Sequence, residues 1–307
     1  MQYSGEKYDY LFDQTCEDIL NIKKELNHKF VGRYRVRIIK SGRQLELEIY
    51  PLWNDYDENR KARRATTREA QKNLNDKNAK LRVQRLIDAN FTSEDICITL
   101  SYKGSSPDEK TARRDIRNYL RRVKDYREKN GLPELKYIYV IEYLHEGSKK
   151  NKRIHHHVIM SGMDRDVAEE LWKGKGWANT RRLQPDDNGL VALAKYITKA
   201  PNGGKRWASS RNLLEPEVKV NDTKISRRKV EQMVFDFENK PREIFEKLFP
   251  DYSFNDCTIK RSEFVAGAYI YARMRSKLIN FSQSQQKKRG KKHETRLSAK
   301  KSNAGAT

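Results

Sequence analysis

At 307 residues the chain is long enough to bury a substantial core and to hold about two domains. Lysine and arginine number 65 against 42 aspartates and glutamates, a formal charge of +23 that points to a polyanionic partner, nucleic acid ahead of a membrane surface. No stretch approaches the roughly 18 apolar residues of a membrane-crossing helix and no signal-peptide pattern opens the sequence. Cys16, Cys97 and Cys257 lack disulfide-framework or zinc-motif spacing and read as reduced thiols of a cytoplasmic protein.

Residues 1–90 read as a basic accessory region. Thr15-Cys16-Glu17-Asp18 has the form of a capping box, followed by Ile19, Ile22, Leu26 and Phe30 at roughly helical spacing. Tyr34 to Ile39 and Leu45 to Ile49 alternate polar and apolar residues around Lys40-Ser41-Gly42-Arg43, which predicts a β-hairpin. Residues 58–89 are a long polar helical stretch opened by Arg60, Lys61, Arg63, Arg64 and Arg68. That charge run suits a solvated face or a helix laid along phosphates.

Residues 91–216 carry the chemistry-bearing types. Ile96 to Tyr102 predicts a strand. Ser106-Pro107-Asp108-Glu109 predicts a helix start with a proline in the first turn, and Gly131 its end. Leu135 to Tyr143 predicts a second strand and Ile154-His155-His156-His157-Val158-Ile159-Met160 a third, antiparallel to it. Helices are expected from Asp164 to Lys173 and from Leu190 to Lys199. The order predicts an α+β fold, helices packed on an antiparallel sheet.

Three of the six histidines lie in the third strand, where alternation puts His155 and His157 on one face and His156 on the other. Glu142 shares its strand face with Ile138 and Val140, where a carboxylate is costly unless paired or metal-bound. Two imidazoles and a carboxylate suit Mg²⁺ or Mn²⁺ in phosphoryl chemistry, with zinc also possible on donor type. An arginine partner at the sheet edge is the competing explanation for Glu142, and His145 and Glu146 are rival ligands. Downstream, Tyr196 and Lys199 share a helix face, and a nearby cation favours a phenolate nucleophile. Such a pair alone is weak evidence, because 16 tyrosines and 65 basic residues give chance matches.

In this order the residues resemble the HUH endonuclease superfamily, specifically the single-tyrosine rolling-circle replication-associated (Rep) proteins of phages, plasmids and related bacterial mobile elements. Ile98-Thr99-Leu100-Ser101-Tyr102 is similar to the first motif, and His155-His156-His157 to the metal-binding strand, with His156 where the family carries a bulky apolar residue. Tyr196 with Lys199 is similar to the nucleophile helix. The resemblance implies a five-stranded antiparallel sheet with flanking helices. It implies metal held by His155, His157 and Glu142, and catalysis by Tyr196 and Lys199. The implied activity is nicking and rejoining of single-stranded DNA at a replication origin through a 5′-phosphotyrosyl link, with a host helicase and DNA polymerase as partners in a bacterial cytoplasm.

Lys205, Arg206, Trp207 and Arg211 mix aromatic and basic groups in a loop, as single-strand binders do, and are the candidate DNA contacts; a surface loop with one buried tryptophan is the plainer reading. Residues 217–281 read as a C-terminal accessory region and 282–307 as a basic disordered tail. A transposase or relaxase of the same chemistry, and a DNA-binding protein without chemistry, are the rival functions.

Overall fold

The structure, a computed structural model, describes residues 29–54, 68–145, 152–197, 207–261 and 267–278. The helix expected after Thr15, the basic run at Arg60 to Arg64 and the tail 282–307 lie outside the described residues.

In chain order the elements begin with β1 (Lys29–Ser41), β2 (Gln44–Asn54), α1 (Arg68–Asn90), β3 (Ile96–Tyr102) and α2 (Glu109–Lys129). Then come β4 (Tyr137–His145), β5 (Lys152–Met160), α3 (Arg165–Glu170), β6 (Gly176–Arg182), α4 (Val191–Ile197) and β7 (Trp207–Ser209). The chain continues with β8 (Glu217–Asn221), α5 (Arg227–Phe235), α6 (Lys240–Leu248), β9 (Tyr252–Arg261) and β10 (Ala268–Ser276). The fold is α+β with two five-stranded antiparallel sheets, ordered β8-β1-β2-β10-β9 and β6-β3-β5-β4-β7.

The predicted hairpin forms, longer than its alternating core suggests, because β2 is paired on its far edge by β10. Gly42 takes φ +59° in the turn, and a Cβ there would stand 2.0 Å from the Asp88 carbonyl oxygen, so the hairpin tip sits directly on α1. The N-terminal hairpin and the C-terminal strands thus share one sheet. Its inner face (Val36, Ile38, Leu45, Leu47, Ile270, Met274) packs on Val230, Met233 and Phe245 of α5 and α6.

The second sheet is covered on both faces. Ile96, Ile98, Leu100, Val158 and Met160 pack against Ile116, Tyr119, Leu120 and Val123 of α2 and against Ala168 and Trp172. Ile138, Val140 and Ile159 on the opposite face pack against Val83, Leu86 and Ile87 of α1 and Ala194 of α4. Helix α1 therefore lies between the sheets. Its apolar side meets the second sheet, and Arg85 reaches Glu46 and Glu48 of β2 at 2.7 and 2.8 Å.

One cap differs from expectation. The N-cap of α2 is Asp108, which accepts a hydrogen bond from Thr111 N at 2.6 Å. Ser106 instead accepts one from Ile154 N at 2.8 Å, so it ties the loop to the histidine strand. Arg127, almost fully buried, donates to the carbonyls of Pro133 and Gly162 and fixes the end of α2 to the chain around β4 and β5.

Candidate functional site

β5 is the central strand of its sheet, and its pairing sets out the site in rows. His155 pairs with Ser101 on one side and Glu142 on the other; His157 pairs with Thr99 and Val140. All six side chains lie on the face covered by α1 and α4, because side chains alternate along each strand. The helical cover ends at this level: Ile159 is fully buried, His157 is 3 % exposed and His155 is half-buried.

His157 Nε2 lies 2.7 Å from Glu142 Oε2, and its Nδ1 lies 3.2 Å from Thr99 Oγ1. Both ring nitrogens are therefore held in a fixed orientation, the arrangement in which a hydroxyl behind one nitrogen tunes the other. Among the described residues no arginine fills the place beside Glu142; the imidazole does, at 22 % carboxylate exposure.

The other face explains His156. It is fully buried among Tyr102 and Trp172, with ring centroids 5.6 and 5.7 Å away, and its Nε2 lies 3.0 Å from Tyr102 Oη. Burial, then the neighbouring His157 and His155, pushes its pKa down to about 3, so it is neutral. Nδ1 has no partner among the described residues, and the tautomer that donates from Nε2 to Tyr102 leaves only a lone pair unsatisfied there. His156 is a packing residue.

Tyr196 is on the last turn of α4, 48 % exposed, with its ring edge-on to His157 at 5.4 Å between centroids. The start of α4 is held from α1: Asp88 accepts a hydrogen bond from Leu190 N at 2.7 Å. Burial holds the Asp88 carboxyl well above the usual carboxylate range. Asp88 had no local signal in the sequence, since the α1–α4 contact spans about a hundred residues. Thr99 did have one: it lies between Ile98 and Leu100, whose inward facing turns it toward the histidines.

Glu142, His155, His157 and Tyr196 are thus brought to one end of one sheet face. Lys199, Lys205, Arg206 and Glu146 lie outside the described residues, as does the His145 side chain. Trp207 belongs to the short edge strand β7 rather than a loop, pairs with Val140 and packs on the apolar cluster beneath α1; Arg211 is exposed in the following turn.

Among the described residues no three His, Cys, Asp or Glu side chains converge closely enough to hold a metal ion. The Glu142–His157 contact is formed, and His155 stands across from Glu142 in register. The donor types, two imidazoles and a carboxylate on one face, fit a divalent cation. No helix among the described residues is long and apolar enough to cross a membrane.

Neither curated proteins nor solved structures give a match to this chain. Residues 95–201 match the family model of the replication-associated protein ORF2, a similarity to Rep-type replication proteins that runs from β3 through α4 and contains Glu142, His155, His157 and Tyr196.

Proposed function

We propose that the chain is a replication initiator that nicks and rejoins single-stranded DNA through Tyr196. The observation that carries this reading is the edge-on contact of Tyr196 with His157, which unites the candidate nucleophile with the Glu142–His157 pair. The match to replication-associated proteins and the charge of +23 supply the DNA context.

In the reaction, Tyr196 Oη forms a bond to the scissile phosphorus and the bond to the 3′ oxygen breaks. The phenolic proton passes to water, and the departing 3′ oxygen takes one up. The products are a 5′-phosphotyrosyl link and a free 3′ hydroxyl; the reverse steps reseal the strand. Glu142, His155 and His157 would hold a Mg²⁺ or Mn²⁺ ion, which supplies Lewis-acid polarisation of a phosphate oxygen when bound. His157 is held for that role by Thr99. Lys199, one turn beyond Tyr196, would favour the phenolate.

The test is covalent trapping. Parent protein incubated with Mn²⁺ and labelled single strands of random sequence should yield an adduct that survives boiling in detergent and maps to the Tyr196 peptide. Tyr196→Phe keeps the ring contact with His157 and should lose the adduct, by ~10³-fold or more. An adduct on another tyrosine discards the site. No adduct and no cut strand with the parent favours a DNA-binding protein without chemistry.

A further inference from the structure

The face that carries the candidate nucleophile extends outward onto β6, and there it bears a side chain with no packing role. Trp177 is 62 % exposed. A tryptophan on a paired strand ordinarily buries most of its ring, so an indole left in water on a rigid strand is informative. Its position is fixed by register. Ser101 pairs with His155 on one side and with Trp177 on the other, so the row across the sheet reads Trp177, Ser101, His155, Glu142. The next row reads Asn179, Thr99, His157, Val140. Cys97 and Arg181 follow in the third row.

Trp177, Asn179 and Arg181 are all exposed and all on the site face. The strand beneath them is held hard against β3: a Cβ on Gly176 would stand 2.0 Å from the Ser101 carbonyl oxygen, and Ser101 Oγ donates to the Trp177 carbonyl at 3.3 Å. β6 is an edge strand, so among the described residues nothing in the sheet continues beyond the indole. Two strand spacings, about 10 Å, separate the Trp177 and His155 backbones. A phosphate lying over the histidines therefore places a neighbouring base at the indole. An aromatic ring, an amide and a guanidinium in one line are the chemistry that holds an unpaired nucleotide: a stacking surface, a hydrogen-bonding group and a cation for the backbone.

We propose that Trp177, Asn179 and Arg181 form a stacking platform that holds a nucleotide flanking the cut phosphate of a single DNA strand. The proposal rests on the nicking site proposed above, and its test separates the two. Affinity for fluorescein-labelled oligothymidine is measured for full-length proteins in the Tyr196→Phe background, so that the strand stays intact. Trp177→Ala should weaken binding roughly tenfold, Trp177→Tyr should restore most of it, and Trp177→Lys should not, because a charge replaces the ring without stacking. The exposed position keeps the fold in all three, which is checked by thermal melting. With Tyr196 present, Trp177→Ala should raise KM for a strand the parent cuts by a similar factor and leave kcat near its parent value.

If Trp177→Ala binds oligothymidine within about twofold of the parent, the platform is overturned and nicking by Tyr196 is untouched. A loss restored equally by lysine also overturns it, since charge rather than stacking then holds the strand. If the parent cuts no strand and Trp177→Ala still loses affinity with rescue by tyrosine, the platform stands and the nicking assignment falls.

Discussion

The two sheets share strand number and antiparallel pairing and differ in what their polar side chains do. On the first sheet, the face turned toward α1 is crowded with charge that finds a partner within the fold. Arg37 and Arg85 both reach Glu48, at 2.7 and 2.8 Å; Arg85 also holds Glu46, to which Tyr271 Oη donates at 3.0 Å; and Arg273 pairs with Asp256. On the second sheet, the face turned toward α1 is apolar under the helices and becomes polar only where the cover stops. There the groups are two imidazoles, a carboxylate, a phenol and an exposed indole rather than matched ions. The contrast teaches that charge density does not mark function in this chain. The first sheet uses its ions to seat a helix, whereas the second leaves reactive groups at the edge of its packing.

The sharpest way to break that contrast is to disable each sheet in turn. His155→Ala, or addition of a chelator to the parent, should lower single-turnover nicking by on the order of a thousandfold, the loss of a Lewis acid at phosphate. Urea stability should stay within about 1 kcal/mol of the parent, because His155 is only half-buried. Undiminished nicking in chelator removes the metal from the mechanism. Stability lost along with activity would show that the second sheet's polar groups are structural like those of the first.

Arg85→Ala is the mirror image. It strands Glu46, 2 % exposed, with one hydrogen bond from Tyr271 in place of the guanidinium. Removing one partner of a buried pair costs about 3–5 kcal/mol, far more than the pair itself contributes over an apolar substitute. Urea unfolding should report that loss, while the folded fraction still nicks. A loss under about 1 kcal/mol would mean that the network is solvated and that α1 is held by its apolar side alone.

How much of this was legible in the sequence follows the same division. The alternation of β5 placed His155 and His157 together, and a carboxylate between aliphatic residues singled out Glu142; both are local signals. The predicted antiparallel sheet with flanking helices is present. β6 was not foreseen. Its residues Gly176, Ala178 and Thr180 on one side and Trp177, Asn179 and Arg181 on the other show no apolar alternation, and pairing with β3 supplies what periodicity does not. β8, exposed throughout, is likewise a strand by virtue of β1. The union of the N-terminal hairpin with β9 and β10 depends on contacts between opposite ends of the chain, which no window of sequence contains.

Asp88 is where the two sheets meet, and it gives the smallest and most diagnostic effect. Burial is the main cause of its raised pKa, and Glu46 and Asp186 add to it while Arg273 opposes. A carboxyl whose folded pKa lies above its unfolded value contributes stability at low pH, below the unfolded pKa, and loses that contribution as pH rises through the folded one. At neutral pH the native protein therefore bears a cost that an amide would not. Asp88→Asn keeps an oxygen for Leu190 N and presents an NH₂ to the acidic neighbours, so it should be more stable than the parent at neutral pH. The advantage should shrink toward zero as pH falls toward about 4, the unfolded carboxylate range. Asp88→Ala lacks the oxygen, leaves Leu190 N unpartnered at the head of the Tyr196 helix, and should cost about 1–3 kcal/mol. In nicking it should lower kcat more than it raises KM, because strand binding does not involve α4's first turn. Urea titrations of the parent and both variants across this pH range measure the first effect. An asparagine advantage that is flat with pH would mean that the gain comes from packing, and that the carboxyl is ionised in its pocket after all.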